Sequence, residues 1–167
     1  LQGHLDAVRG ALVAARLDGR LVDLTAPLAA DSRIEGVGFD SPEGRDVFRH
    51  SSAHILAEAV ADLFPGAKFA IGPAIADGFY YDFDVEKPFT PEDLERIEKR
   101  MAEIVKANTP FVRSDVPRDA ALADFRGKGE VYKAELIEAI RDPTVSIYRQ
   151  GAFTDLCRGP HVTSTAK

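Results

Sequence analysis

The chain has 167 residues, 45% of them apolar and 29% charged, with a net charge of −6. That is the composition of a globular protein of one ordinary domain, or one domain and a fragment. It excludes a membrane-spanning helix, a signal peptide at the start and a protein that grips nucleic acid by charge alone. A single cysteine, Cys157, fits a reducing, cytosolic setting. The chain opens on Leu1 rather than Met and closes on TSTAK, so it is expected to be a piece of something longer.

Residues 5–13 carry apolar side chains at Leu5, Val8, Leu12 and Val13, a short helical pattern weakened by Gly10. Asp18-Gly19, between two short apolar runs, predicts a two-residue hairpin. Residues 26–39 read as loop and a weak final strand. These first forty residues are too few to bury a core by themselves.

Ser41 as N-cap and Pro42 in the first turn predict a helix from Pro42 to Phe64, stopped by Pro65-Gly66. Val47, His50, His54, Ala57 and Ala61 share one of its faces. Residues 68–71 and 78–85 predict two strands, the second rich in aromatics, with one of Tyr80 and Tyr81 in the core. Thr90 caps the clearest helix, whose expected buried stripe is Leu94, Ile97, Met101, Ile104 and Val105. A short strand from Pro110, two helical patterns (RDAALADF and EVYKAELIEAI) and two strand-like stretches (VSIYRQG and FTDLCRGPHV) complete the chain. Gly159-Pro160 forces a turn between Cys157 and His161. The fold class is α+β, two layers with a mainly antiparallel sheet.

The four histidines are His4, His50, His54 and His161. Taken singly each is ordinary, and His4 stays so. A lone cysteine is usually an inert small side chain. Pairing changes the weight: H-x3-H on one helix face and C-x3-H about a hundred residues later offer four ligands of the kind zinc takes. A metalloprotease helix would need Glu where Ser51 stands. Asp155 precedes Cys157 by two and shares its face on a strand. Lys133, early in a helical pattern, reads by itself as a solvated charge. Spacing alone leaves a metal cage and a polar catalytic pocket both open.

In order, RHSSAHILAEAV, AIGPAIADGFYYDFD, VYKAEL and DLCRGPHV resemble the editing domain of bacterial-type threonyl-tRNA synthetases. The opening VAARLDGRLVDLTAPLAADSRIEGV resembles the latter half of the TGS domain, a β-grasp unit that precedes it in that family. The resemblance implies a partial β-grasp unit over residues 1–40 and the editing domain over residues 41–167. It implies a hydrolase that clears seryl-tRNA(Thr) by water attack on the ester, with no aminoacylation by this segment. Serine is smaller than threonine by one methyl, a difference worth about 1–3 kcal/mol in a binding pocket, so a second, hydrolytic site is needed. The implied site is His50, His54, Lys133, Tyr81, Asp155, Cys157 and His161. Lys133 and His50 would hold and polarise water, Asp155 would bind the serine ammonium, and Tyr81 would limit pocket size. His54, Cys157 and His161 would shape the pocket and anchor the adenosine or the serine hydroxyl. No cofactor is required. The implied partners are the serine-bearing 3′ end of tRNA(Thr) and the remaining synthetase domains, in the cytoplasm and away from membranes. Two alternatives remain: a zinc-dependent deacylase of the alanyl type, with zinc on His50, His54, Cys157 and His161, and a non-catalytic module structured by zinc.

Overall fold

The computed structural model describes residues 12–28 and 31–167. Most of the helical pattern expected over residues 5–13, and His4, lie outside them. Leu12 and Val13 are extended, opening the first strand.

Strands β1 (Leu12–Leu17) and β2 (Arg20–Val22) form the expected hairpin, and β3 (Ile34–Gly38) pairs with the other edge of β1. Asp18 and Gly19 both adopt positive φ, 51° and 84°, the conformation a tight two-residue turn demands. Helix α1 (Pro42–Leu63) follows, its first turn capped by Ser41 Oγ accepting from the Gly44 N–H at 3.0 Å. The helix ends at Phe64, one residue before the proline. From Ser51 to Val60 it is buried on almost every side. Val13, Ala14 and Val37 of the opening sheet pack with Val47, Ala53, Ala57 and Val60 of α1 in one core, so the first forty residues complete their core on this helix.

The two strands expected over residues 68–85 are one irregular antiparallel ladder. It is broken into β4 (Lys68–Phe69) on β7 (Phe83–Asp84) and β5 (Ala74–Ile75) on β6 (Gly78–Phe79). Pro73 and Gly72 interrupt regular pairing. Tyr81 points inward and Tyr80 outward.

Helix α2 (Pro91–Ala107) starts with a Thr90–Asp93 capping box. Only Ile97 and Ile104 are fully buried, with Met101 beside them; Leu94 is 57% and Val105 40% exposed. The expected five-residue stripe is therefore too wide. Leu94 and Val105 sit about 60–80° round the helix from Ile97, and α1 is the main element it meets. Arg100, on the other flank, reaches Asp62 of α1 at 2.9 Å.

Strands β8 (Val112–Pro117), β9 (Thr144–Gln150) and β10 (Phe153–Leu156) form an antiparallel sheet in the order β10-β9-β8. Helices α3 (Arg118–Gly127) and α4 (Val131–Ala139) cover one face, burying Ala121, Phe125, Ile137 and Val145. Tyr148, Gln150 and Asp155 are buried on the opposite face, and Gln150 reaches α1 through the His54 carbonyl. The strand-like reading of residues 153–162 holds to Leu156; beyond it the chain is irregular. No helix is long and apolar enough to cross a membrane among the described residues.

Truncating Ile104 to Ala should cost about 2–5 kcal/mol of unfolding free energy. Leu94→Ala should stay within about 0.5 kcal/mol of the parent. Urea unfolding of both variants checks the width of the stripe, and equal losses would contradict it.

Candidate active site

The two histidines of α1 face the loop after β10. His50 Nε2 lies 2.9 Å from Cys157 Sγ, and His161 Nε2 lies 3.3 Å from the same sulfur. The His50 and His161 rings stack at 4.5 Å between centroids, and His54 meets His161 edge-on at 4.2 Å. Phe111 stacks on the other side of His161 at 4.8 Å. The imidazoles and the thiol thus form one contiguous cluster.

A second group lies against it. Lys133 Nζ is 2.6 Å from Asp155 Oδ1 and donates to Tyr81 Oη at 3.0 Å. Tyr81 in turn donates to Asp155 Oδ2 at 2.7 Å, and His54 Nε2 lies 3.8 Å from that oxygen. Lys133 is 3% and Asp155 2% exposed. The reading of Lys133 as a solvated charge is therefore overturned: α4 packs it inward against the sheet, where the carboxylate compensates its burial. A pocket of about 230 Å³ opens on Lys133 and Asp155, lined also by Phe69, Phe125 and Phe153.

Proton positions follow from the partners. Ser51 Oγ donates to the Val47 carbonyl at 2.8 Å and accepts from the Val162 N–H at 3.1 Å. Its one proton is then used, so His161 Nδ1, 3.1 Å away, carries the hydrogen of that contact. The Nε2 lone pair of His161 is left facing Cys157. Burial lowers the pKa of His50, against the opposing pull of a Gly72 backbone bond and Asp155. Burial takes His54 down to about 3, despite Asp155. Burial and the other two imidazoles hold His161 well below the ordinary value. Burial pushes the Cys157 thiol up to about 12, although the Gly159 N–H favours the thiolate. Burial and Asp155 also push the Tyr81 hydroxyl up. At neutral pH the cluster holds three neutral imidazoles and a thiol. Among the described residues, His54 Nδ1, Gln150 Oε1 and Glu58 Oε2 are buried with no hydrogen-bond partner of ordinary geometry, although Gln150 still pulls the His54 pKa up.

All seven residues named from the sequence meet here. Others were not named. Asp23, at the end of β2, accepts the His161 N–H on Oδ1 at 2.8 Å and the Tyr148 hydroxyl on Oδ2 at 2.7 Å. Ser51 and Tyr148 hold His161 from two further sides. Ser51 had a signal, standing between the two histidines. Asp23 had none, because nothing local ties the end of a three-residue strand to a loop more than a hundred residues away.

The ligand atoms of His50, His54, Cys157 and His161 all lie within 4.8 Å of one another. Three nitrogens and a sulfur are a set that zinc accepts. The sulfur–nitrogen separations of 2.9 and 3.3 Å are shorter than the roughly 3.5 Å between ligands of tetrahedral zinc. A metal would need the cluster to spread slightly.

Residues 145–167, which carry Asp155, Cys157 and His161, match the family described as the threonyl and alanyl tRNA synthetase second additional domain. The chain is 57% identical over 166 residues to a threonine–tRNA ligase of Nitratidesulfovibrio vulgaris, covering 94% of this chain and 26% of that protein. It is 56% identical over 158 residues to the threonine–tRNA ligase of an Azoarcus species, and 55% over 157 residues to that of Pelobacter propionicus. Each of these alignments covers 94% of this chain and 25% of the relative. Along nearly its whole length, the chain is homologous to one segment, about a quarter, of the threonine–tRNA ligases.

Proposed function

We propose that the chain is an editing hydrolase that removes serine from mischarged seryl-tRNA(Thr) by water attack on the aminoacyl ester. In this reading it acts in the cytoplasm as part of a threonyl-tRNA synthetase, with residues 1–40 as a partial β-grasp unit and residues 41–167 as the editing domain. The observation that carries it is Lys133. It is buried, and among the described residues it meets two acceptors, Asp155 and Tyr81, for three N–H donors. A structural zinc cage has no use for such a group.

In this reading the third donor would stabilise the oxygen on which charge builds as water adds to the ester carbonyl. The attacking water must lose a proton. Of the three neutral imidazoles, His50 is the least enclosed and makes the best base; His54 and His161 hold protons too weakly. A thiol at about 12 supplies almost no thiolate, which supports direct attack by water over a covalent intermediate on Cys157. Asp155 keeps Lys133 in position and offers its remaining lone pairs to the serine ammonium. His54, edge-on to His161 at 4.2 Å, shapes the wall behind these groups. Tyr81, stacked on Phe83 at 5.0 Å and bonded to both Lys133 and Asp155, would set the width of the site by fixing those two residues.

Removing Lys133 or His50 as Ala should each slow deacylation of preformed Ser-tRNA(Thr) by about 10²-fold or more. Near-parental rates in both variants would sink the proposal. Clearing Ser-tRNA(Ala) and Gly-tRNA(Ala) as fast as Ser-tRNA(Thr) would point to the alanyl type instead.

Protonation also sets acid stability. The three imidazoles are depressed in the fold, so the unfolded chain binds more protons below about pH 6.5, and stability falls as pH drops from there. Glu58 acts in the opposite sense. Burial and Asp62 raise its carboxyl to about 7, so its contribution is present at low pH and is lost as pH rises from 4.5 to 7. Glu58→Gln removes that opposing contribution. Its Tm should fall more than the parent's between pH 7 and pH 5, and equal falls would contradict the assignment.

The four-ligand cluster favours a second reading, a zinc-dependent deacylase, with His50, His54, Cys157 and His161 holding the ion. A catalytic zinc keeps one position for water, so three of these four side chains would hold it during turnover, and it would acidify that water in place of a general base. Metal analysis of the purified chain after dialysis decides between the two. Less than about a tenth of a zinc per chain, with deacylation retained, is expected on the first reading; one zinc per chain overturns it.

A further inference from the structure

Beside Cys157 the surface opens into a groove of about 850 Å³. That is nearly four times the pocket at Lys133 and Asp155. The end of α4, residues 141–144, the start of β9 and the loop after β10 line it, with Arg20 of β2. Leu136, Ile140 and Leu156 contribute apolar surface.

The charge in this groove is unlike that of the rest of the chain. Four arginines line it, Arg20, Arg113, Arg141 and Arg158, against two aspartates, Asp115 and Asp142. Arg113 is held on Asp115 at 2.8 Å. Arg20, Arg141 and Arg158 are exposed, and none forms an ion pair among the described residues. Outside the groove Arg16, Arg33, Arg96, Arg100, Arg118 and Arg126 pair with carboxylates, while Arg45, Arg49 and Arg149 are held on backbone carbonyls. A protein with net charge −6 thus presents three guanidiniums with no ion pair among the described residues around a groove that reaches Cys157, with Asp142 the one further carboxylate in its lining.

We infer that this groove receives the single-stranded, phosphate-bearing 3′ end of an RNA. Arg20, Arg141 and Arg158 pair with phosphates there while the terminal residue reaches Cys157 and the histidines. The inference rests on the deacylation reading and adds to it the route and grip of the substrate. Guanidinium forks suit phosphate geometry, and phosphate contacts set register without reading sequence. A local grip also reconciles an acidic chain with a polyanionic substrate: repulsion from the rest of the surface leaves this groove as the favourable approach.

The test uses the 167-residue chain and a fluorescein-labelled single-stranded RNA ending in ACCA, followed by anisotropy over a salt series. The R20A/R141A/R158A variant should bind at least about 10-fold more weakly at low salt. Its slope of log affinity against log salt should be shallower by about 2, from roughly 0.7 per lost phosphate contact. An R96A/R126A control removes two arginines outside the groove and should match the parent. Parental affinity and slope in the triple variant, or an equal loss in the control, would overturn the groove. Deacylation separates this from the reading beneath it. The triple variant should show a raised KM on Ser-tRNA(Thr) yet hydrolyse the phosphate-free ester seryl-adenosine at the parental rate. If the parent hydrolyses neither substrate, the deacylation reading fails, and the RNA titration still judges the groove.

Discussion

The site is organised around a charge pair that water hardly reaches. Either Lys133 or Asp155 alone at such depth would cost several kcal/mol. Together they close a triangle with Tyr81, in which every edge is a hydrogen bond or an ion pair of 3.0 Å or less. That triangle needs α4, β10 and the residue 68–84 ladder in fixed relation, because each contributes one corner. The neutral cluster beside it is a consequence of the same burial. Three imidazoles and a thiol packed within 4.8 Å of each other, next to one compensated pair, cannot add further charge cheaply. The molecule therefore holds neutral imidazoles, a lysine and a carboxylate side by side, with openings at Lys133 and Asp155 and at Cys157.

Local chemistry in the sequence was enough to place much of the frame. Ser41 and Thr90 cap the helices expected from them, Pro65 stops α1, and Asp18-Gly19 turns the first hairpin. The H-x3-H and C-x3-H pairs converge because a helix face and a turn after a strand can each present two side chains on one side. What stayed hidden depends on contacts between distant elements. Lys133 sits in a pattern that suits a surface residue as well as a buried one, and only the carboxylate of Asp155 decides which. Leu94 and Val105 repeat with helical spacing, but burial needs a second neighbour beside α1, and among the described residues that flank stays exposed. The ladder over residues 68–84 breaks where Gly72 and Pro73 interrupt its pairing. At Gly72 an added Cβ would stand 2.2 Å from the Tyr81 ring, so the gap in pairing also seats the inward tyrosine.

Charge is distributed with the same economy. Most arginines are neutralised on the outer surface, where an ion pair contributes little to stability. The three around the Cys157 groove have neither an ion pair nor a carbonyl partner among the described residues, which leaves a local positive patch that the net charge conceals. Two openings meet the same polar centre from different sides: a small one at Lys133 and Asp155, and a large basic one at Cys157.

Asp23 joins the opening sheet to the chemistry. One carboxylate ties the backbone of His161 and the hydroxyl of Tyr148 to the end of β2, and Gly159 passes so close to that hydroxyl that an added Cβ would stand 2.0 Å from it. The loop bearing Cys157 and His161 thus hangs from a residue that lies before any boundary drawn near residue 40. Modularity has a limit here: a fragment starting at residue 41 would keep all seven side chains of the candidate site and still lose the anchor that aims one of them. Grafting the unit onto another protein would have to carry the first sheet along, or supply an acceptor in its place.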